Sequence, residues 1–194
     1  MPLRHRIGLL YIPGALPCFE DFGALPTDLV TSKAEVDGKP ASEVLDMLII
    51  PGGSLVESQS VTEQISREII KMAELDKFVL GICSGFQVLG KETDVGRLST
   101  IPIIRSGLGL LDVEFKPLIC TDRVKASIID KSFITKDVGE SVKGFHCHTY
   151  GKINIDKDTK PFLISHVNQV NYKKSPQDLI SGVVNKTGNV AGVL

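Results

Sequence analysis

A cysteine between two glycines is the first feature with chemical potential. The stretch Gly81-Ile82-Cys83-Ser84-Gly85 stands where an apolar run gives way to a helical pattern. A thiol at the start of a helix gains from the unpaired backbone amides there, which favour the reactive thiolate. A sharp strand-to-helix turn leaves room only for small residues beside a nucleophile. A buried structural cysteine at the end of a core strand is the alternative, and the glycine spacing favours the nucleophile.

Two histidines form a second candidate cluster. His146 and His148 lie two residues apart, so on a strand both side chains point to one face and could chelate zinc together with a carboxylate or water. No partner stands at metal-ligand spacing, so we expect no metal and ordinary side chains near a substrate pocket. Cys147 then faces the other way and is expected in the core. Cys18 and Cys120 lack supporting context and are interpreted as structural.

The composition limits the kinds of partner that the chain can have. The 194 residues carry a formal net charge of −1, which gives no electrostatic reason to expect nucleic acid or an anionic membrane. No apolar run is long enough to span a bilayer, and residues 1–15 contain no secretory signal. Four cysteines without CxxC spacing are typical of a reduced protein. We therefore expect a cytoplasmic protein.

The elements that would position these residues follow from hydrophobic periodicity. Short apolar runs followed by Gly or Pro predict strands in the first half, and an amphipathic pattern predicts a helix over 61–75. Further short strands are predicted after Gly107. The predicted strands cover 6–12, 28–36, 46–50, 78–82, 110–115, 142–150, 162–167, 179–184 and 190–194. Alternating strands and helices indicate one α/β domain with a mainly parallel central sheet flanked by helices.

Several segments resemble one enzyme family, in order and over nearly the whole chain. GICSGFQVLG at 81–90 is similar to the nucleophile segment of class I (triad-type) glutamine amidotransferases, and resembles most the cobyric acid synthase and cobyrinate diamide synthase branch. Other segments similar to that branch are LPCFEDFGAL at 16–25, IIPGGS at 49–54, GLGLLD at 107–112 and GFHCH at 144–148. The resemblance implies the flavodoxin-like fold of that class, with a nucleophile elbow.

The resemblance also implies roles for individual residues. Cys83 would attack the carboxamide of glutamine and form a thioester, releasing ammonia before water releases glutamate. Backbone N–H groups of Gly53 and Ser84 would stabilise the oxyanion. Gln87, one helical turn after the cysteine, would contact the bound glutamine, and Gly52 would line the same pocket. Without the motif, Gln87 would be interpreted as an ordinary residue of the helix surface.

The family's catalytic base is a histidine near the C-terminus, and the sequence departs from that pattern. Residues 188–194 resemble the strand that leads into the histidine segment, but no histidine follows them. We expect a single glutamine amidotransferase-like domain at 1–194 that ends just before the catalytic-histidine segment. Among the alternatives within the chain, His148 matches a family histidine, His146 occupies a position near glutamine where the family has Glu, and His166 is a third.

The implied partners are glutamine and an ATP-dependent synthetase domain or subunit that uses the ammonia in an amidation similar to that of cobyric acid synthase, a step of cobalamin biosynthesis. The sequence contains no phosphate-binding P-loop, so ATP and Mg²⁺ are expected on that partner, and no cofactor is expected here. Two alternatives are a member of the wider Cys-elbow superfamily that includes DJ-1 and PfpI-type proteases, and a non-catalytic glutaminase-like regulatory module.

The nucleophile hypothesis predicts selective alkylation of one thiol. The glutamine analogue 6-diazo-5-oxo-norleucine should label Cys83 far faster than Cys18, Cys120 or Cys147, as measured by mass spectrometry of peptides. Because the reagent needs a formed pocket, slow labelling that accelerates beside a partner would still agree. Equal labelling of all four thiols would contradict the hypothesis.

Overall fold

The computed structural model describes residues 5–17 and 22–194. Cys18 therefore lies outside the described residues. The helices are α1 (Ala41–Val44), α2 (Leu55–Ser58), α3 (Glu63–Glu74) and α4 (Ser84–Leu89). The strands are β1 (Ile7–Leu10), β2 (Asp28–Val30), β3 (Glu35–Val36), β4 (Lys39–Pro40), β5 (Met47–Ile50), β6 (Phe78–Ile82), β7 (Glu92–Asp94), β8 (Ile104–Ser106), β9 (Val113–Lys116), β10 (Cys120–Ile128), β11 (Ser141–His148), β12 (Lys152–Ile155), β13 (Thr159–Val170), β14 (Lys173–Asn185) and β15 (Val190–Val193).

The main sheet has a parallel half and an antiparallel half. Its strand order is β11-β10-β13-β14-β15-β6-β5-β1-β2. Every pair from β15 to β2 is parallel, and every pair from β11 to β15 is antiparallel. The predicted α/β class is confirmed, but the expectation of a mainly parallel sheet holds only for the half that runs from β15 to β2. The remaining strands form two smaller sheets, β12-β9-β7-β8 and β3-β4.

Apolar strands and one amphipathic helix build the core of the parallel half. Leu48, Ile49 and Ile50 of β5 are all buried, as expected for a strand covered on both faces. Helix α3 buries Ile65, Ile69 and Met72 on one side. Thr62 begins this helix, and its hydroxyl accepts a hydrogen bond from the Ile65 N–H at 3.4 Å. No helix in the described part of the chain is long and apolar enough to cross a membrane.

Two differences from the predicted elements have local causes. The strand predicted over 28–36 is wrong in its middle, because the chain turns between β2 and β3 and Ala34 adopts φ 53°. Strand β10 was missed altogether. Its buried positions include Cys120 and Ala126, which are small, and they alternate with charged side chains such as Arg123 and Lys125. A pattern so weak in large apolar residues gives little strand signal.

Helix α4 lies close against β15 because one residue there has no side chain. A Cβ placed on Gly192 would come within 1.9 Å of Cδ2 of Phe86. The Phe86 ring is fully buried and packs edge-to-face on Phe115, with ring centroids 4.7 Å apart. The ring therefore has little freedom to move aside.

The Gly192→Ala substitution should lower the free energy of unfolding by about 1–3 kcal/mol, the usual cost of overpacking a core. Urea denaturation would measure this. Gly139→Ala is the matched control, because a Cβ there meets no atom within 4 Å. The control should stay within about 0.5 kcal/mol of the parent. Equal stability of the two variants would contradict the packing described here.

Candidate active site

Cys83 occupies a strained turn between β6 and α4. Its backbone adopts φ 49° and ψ −108°, which a non-glycine residue rarely does, and it is the N-cap residue of α4. A Cβ on Gly85 would lie 2.1 Å from the Ile50 carbonyl oxygen, and a Cβ on Gly81 would lie 2.5 Å from the Gly85 carbonyl oxygen. Only glycine fits at either position. The structure therefore contains the strand-to-helix elbow that the sequence pattern predicted.

The end of α4 is held by the segment 107–112. The backbone N–H groups of Leu108, Gly109 and Leu111 donate to carbonyls at the end of the helix, at Val88, Gly90 and Leu89, with distances of 2.8, 2.8 and 2.9 Å. These bonds satisfy carbonyls that a helix end otherwise leaves without partners. The GLGLLD motif thus has a physical role here, which is to anchor the helix that carries the elbow.

Three parallel strands end around Cys83. In the register of the sheet, Ile50 of β5 lies opposite Gly81 of β6, and Val193 of β15 lies opposite Ile82. The Cys83 N–H donates to the Val193 carbonyl at 2.8 Å. The turn after β5 and the end of β15 therefore lie on either side of the cysteine, at the edge of a parallel sheet where ligands usually bind.

Two backbone amides near the elbow are available as donors. The turn after β5 pairs with an N-terminal loop, and the bonds from Leu16 N to Gly52 O (2.9 Å) and from Ser54 N to Gly14 O (2.8 Å) flank Gly53 without using its N–H. Within residues 5–17 and 22–194, no acceptor is hydrogen-bonded to the N–H of Gly53 or of Ser84. These are the two groups that the resemblance assigned to the oxyanion hole.

The residues after the cysteine are buried rather than on a helix surface. Gln87 is only 3 % exposed, and its N–H donates to the Cys83 carbonyl at 3.1 Å, one turn back. Ser84 is also buried, and its hydroxyl accepts a hydrogen bond from the Val56 N–H at 3.3 Å. The Ser84 contact ties the elbow to α2, which follows the turn that carries Gly53.

The edge strand β11 returns to the elbow. In the sheet, four strands (β10, β13, β14 and β15) separate β11 from β6, the strand that leads into the elbow. The Cys83 Sγ nevertheless lies 3.9 Å from the carbonyl oxygen of Cys147 on β11. The antiparallel half must therefore curl strongly to bring its edge back. The Cys147 side chain is exposed. The expectation of a core position for it is wrong, because that face of the edge strand is open to solvent.

His146 and His148 lie on the other face of β11 and are 3 % and 6 % exposed. Nδ1 of His146 lies 2.8 Å from Nε2 of His148, and Nε2 of His146 lies 3.0 Å from the Ser165 hydroxyl. Burial lowers the pKa of His146 to about 4, against a small opposing effect of Asp122. Burial, together with the neighbouring His146, lowers the pKa of His148 to about 3. Both imidazoles are therefore neutral near pH 7.

The structure gives neither histidine a hydrogen bond to the Cys83 thiol. Both ring nitrogens of His146 are used by His148 and Ser165, and Nδ1 of His148 has no hydrogen-bond partner in the described part of the chain. The His148 ring packs on the Gly151 backbone, where a Cβ would lie 1.9 Å from its Cε1. His166 is exposed and bonded to Asp178 at 2.9 Å. The assignments of a base and of a glutamine contact to His148 and His146 stay predictions.

Cys120 is a neighbour of the histidine pair that the sequence did not reveal. It lies on β10 directly opposite His148 and is fully buried. Burial, with a smaller contribution from Asp122, raises the pKa of its thiol to about 11. Its Sγ lies 3.6 Å from the Gln169 carbonyl oxygen. Only knowledge of the β10–β11 register could have placed it beside the histidines.

Comparison with known proteins gives consistent relatives. The CobB/CobQ-like glutamine amidotransferase domain matches residues 6–193. A cobyric acid synthase of Dehalococcoides mccartyi is 31% identical over 186 residues, which is 90% of this chain and 35% of that protein. A cobyric acid synthase of a Thermoanaerobacter species is 36% identical over 132 residues, 63% of this chain and 26% of that protein. The matched regions thus span about a quarter to a third of the length of these relatives.

Solved structures share the fold. The structure of PurLQS from Thermotoga maritima has a TM-score of 0.68 at 21% identity, over 99% of this chain and 87% of that one. A glutamine amidotransferase from the same organism has a TM-score of 0.58 at 14% identity, over 98% and 75%. The family match favours the glutaminase interpretation over the wider Cys-elbow superfamily. The chain belongs to the CobB/CobQ-like glutamine amidotransferase domain family and is a glutaminase-type domain homologous to the corresponding region of cobyric acid synthases.

Proposed function

We propose that this domain hydrolyses glutamine through a thioester on Cys83 and supplies the ammonia to an ATP-dependent amidation similar to that of cobyric acid synthase. The observation that carries the proposal is the strained elbow at Cys83, beside two backbone N–H groups that are bonded to no acceptor among the described residues. A thiol at the edge of a parallel sheet lies where ligands usually bind, so the carboxamide carbon of a substrate can approach it there.

The reaction requires one nucleophile and one water. The Cys83 sulfur bonds to the carboxamide carbon of glutamine, and the carbonyl oxygen takes up the negative charge. The nitrogen then gains a proton. As the carbonyl double bond re-forms, the carbon–nitrogen bond breaks and the nitrogen leaves as ammonia. Water then attacks the thioester, releasing glutamate and restoring the thiol.

The Gly53 and Ser84 amides are the proposed donors to the oxyanion. Preorganised backbone N–H groups stabilise this charge without rearranging during the reaction, and one such donor typically contributes a factor of about 10²–10³. Gly53 follows β5 and Ser84 follows Cys83, so the fold fixes both relative to the sulfur. The proposed glutamine contacts are Gly52 and Gln87, which is buried in α4 one helical turn after Cys83.

A histidine placed just after β15 is the best-positioned base. Strand β15 runs parallel to β6, and its Val193 carbonyl accepts the Cys83 N–H at 2.8 Å. A residue that continues from Leu194 would therefore leave the sheet edge beside the thiol. His148, by contrast, has Nε2 bonded to His146 and Nδ1 facing the Gly151 backbone. We infer that a histidine that follows β15, rather than His148, acts as the base.

The amidation itself is assigned to another domain or subunit. The absence of a P-loop from the sequence supports ATP and Mg²⁺ binding elsewhere, and the greater length of the relatives leaves room for such a domain. No cofactor is needed for the thioester chemistry. Cys120 and Cys147 form no disulfide, which suits the proposed cytoplasmic location.

The Gly53→Ala substitution should reduce kcat for glutamine hydrolysis by about 10²-fold or more, because the N–H would be displaced from the oxyanion. At φ 134°, a Cβ on Gly53 would lie 2.1 Å from the Gly14 carbonyl oxygen, so the turn must shift. Glutamate release would be measured in whichever form hydrolyses glutamine faster, residues 1–194 or the same residues extended after Leu194 with a histidine segment. Gly38→Ala is the matched control, since Gly38 also has a positive φ, 71°, but nothing within 4 Å of its Cβ. Equal kcat losses in both variants would argue against the proposed donor.

If the base is a histidine that follows β15, residues 1–194 tested by themselves should hydrolyse glutamine slowly or not at all. An extension after Leu194 with a Pro-His or Tyr-x-His segment should raise the rate by about 10²–10⁴-fold, the usual contribution of a positioned imidazole. The same extension with alanine in place of its histidine is the control.

The competing base is tested in the same assay. If the 194-residue chain hydrolyses glutamine well, and His148→Ala abolishes turnover while circular dichroism stays unchanged, the base is His148 and the inference is wrong.

A further inference from the structure

Three buried side chains with metal-binding atoms converge beside the proposed active site. Cys120 on β10 lies opposite His148 on β11, and His146 stands two residues earlier on the same face. One ligand atom of each residue, a sulfur or an imidazole nitrogen, lies within 4.8 Å of the other two. All three residues are buried. Such a cluster is unusual for a core, where polar atoms are normally paired with one another or with the backbone.

The hydrogen bonds around the histidines leave one buried atom without a partner. The Ser165 hydroxyl donates to the Ser181 hydroxyl at 2.8 Å, so it accepts from the Nε2–H of His146. Nδ1 of His146 then carries no proton and accepts from the Nε2–H of His148. Nδ1 of His148 is left unprotonated, with no hydrogen-bond partner in the described part of the chain, although the residue is 6 % exposed. An unsatisfied buried acceptor destabilises the protein.

We propose that Cys120, His146 and His148 form a Zn²⁺ site, with Cys120 Sγ, His146 Nδ1 and His148 Nε2 as ligands. One thiolate and two imidazoles suit Zn²⁺, which prefers sulfur and nitrogen ligands in a tetrahedral arrangement. A water completes the fourth position. Zn–N distances of about 2.0–2.1 Å require the two imidazole nitrogens to separate by roughly half an ångström from their present hydrogen bond.

Zinc binding also resolves the unpaired nitrogen. When Nε2 of His148 binds the metal, its proton moves to Nδ1, on the side of the ring that packs against Gly151. The Leu118 carbonyl, which accepts the Gly151 N–H at 3.0 Å, is the backbone acceptor next to that glycine. The Cys120 thiol loses its proton to solvent as the thiolate binds the metal. The Ser165 hydroxyl, which is itself bonded to Ser181, accepts from the remaining nitrogen of His146, as outer hydrogen-bond partners commonly do for metal-binding imidazoles.

The position of the site supports this assignment. Cys147 lies between the two histidines, and its carbonyl contacts the Cys83 sulfur at 3.9 Å. The metal would therefore tie β10 to β11 directly behind the strand segment that borders the nucleophile.

Metal content tests the proposal. The chain would carry Cys83→Ser, so that the reactive thiol cannot bind zinc, and would be stripped with a chelator, incubated with Zn²⁺, desalted and analysed by inductively coupled plasma mass spectrometry. We expect about one Zn²⁺ per chain, as for a site of three protein ligands and one water. Adding Cys120→Ser or His148→Asn should remove most of it. Cys147→Ser is the matched control, since this exposed thiol lies on β11 between the two histidines but on the opposite face of the strand.

Cobalt provides a second readout that does not require substitution of the proposed ligands. Co²⁺ bound in place of Zn²⁺ should give thiolate-to-metal charge-transfer absorption in the Cys83→Ser chain and in the Cys147→Ser control. Circular dichroism establishes that each variant is folded, and if Cys120→Ser does not fold, the absorption of the parent decides. Absence of retained Zn²⁺ or of this absorption in the parent would overturn the proposal. So would full zinc content in a folded Cys120→Ser variant.

Discussion

The contact of the Gly85 backbone with the Ile50 carbonyl is the constraint on which the site depends. A methyl group at Gly85 would lie 2.1 Å from that oxygen, so helix α4 can approach β5 this closely only because glycine stands there. The close approach forces the chain to turn within one residue after β6, and that residue, Cys83, takes the strain as a positive φ of 49°. The strain holds the thiol at the sheet edge, where packing cannot bury it.

The two halves of the main sheet make different contributions to this edge. The parallel half brings the turn after β5, the elbow after β6 and the end of β15 to the same edge of the sheet, because parallel strands have their carboxyl ends at one edge. The antiparallel half curls until the Cys147 carbonyl lies 3.9 Å from the Cys83 sulfur. Strand β15 belongs to both halves, and the fit of Gly192 against Phe86 fixes it relative to α4.

The sequence predicted the elbow because its signals are local. The signals lie within a few residues of one another: an apolar run over Phe78–Ile82, two glycines and a helical pattern that follows at once. The structure confirms β6 with the predicted bounds. The surroundings of the histidines could not be predicted in the same way. Cys120 is brought beside His148 by the register of two antiparallel strands, and β10 carries too few large apolar residues to be recognised. The exposure of Cys147 likewise depends on β11 being an edge strand.

A crystal structure of the covalent adduct of Cys83 with a glutamine-analogue diazoketone tests the central claim most directly. The account predicts a bond to the Cys83 sulfur, with the ketone oxygen of the adduct about 2.7–3.1 Å from the N–H groups of both Gly53 and Ser84. The side chain of Gln87 should lie along the amino-acid end of the adduct. An adduct on another thiol, or a ketone oxygen that points away from both amides, would contradict it.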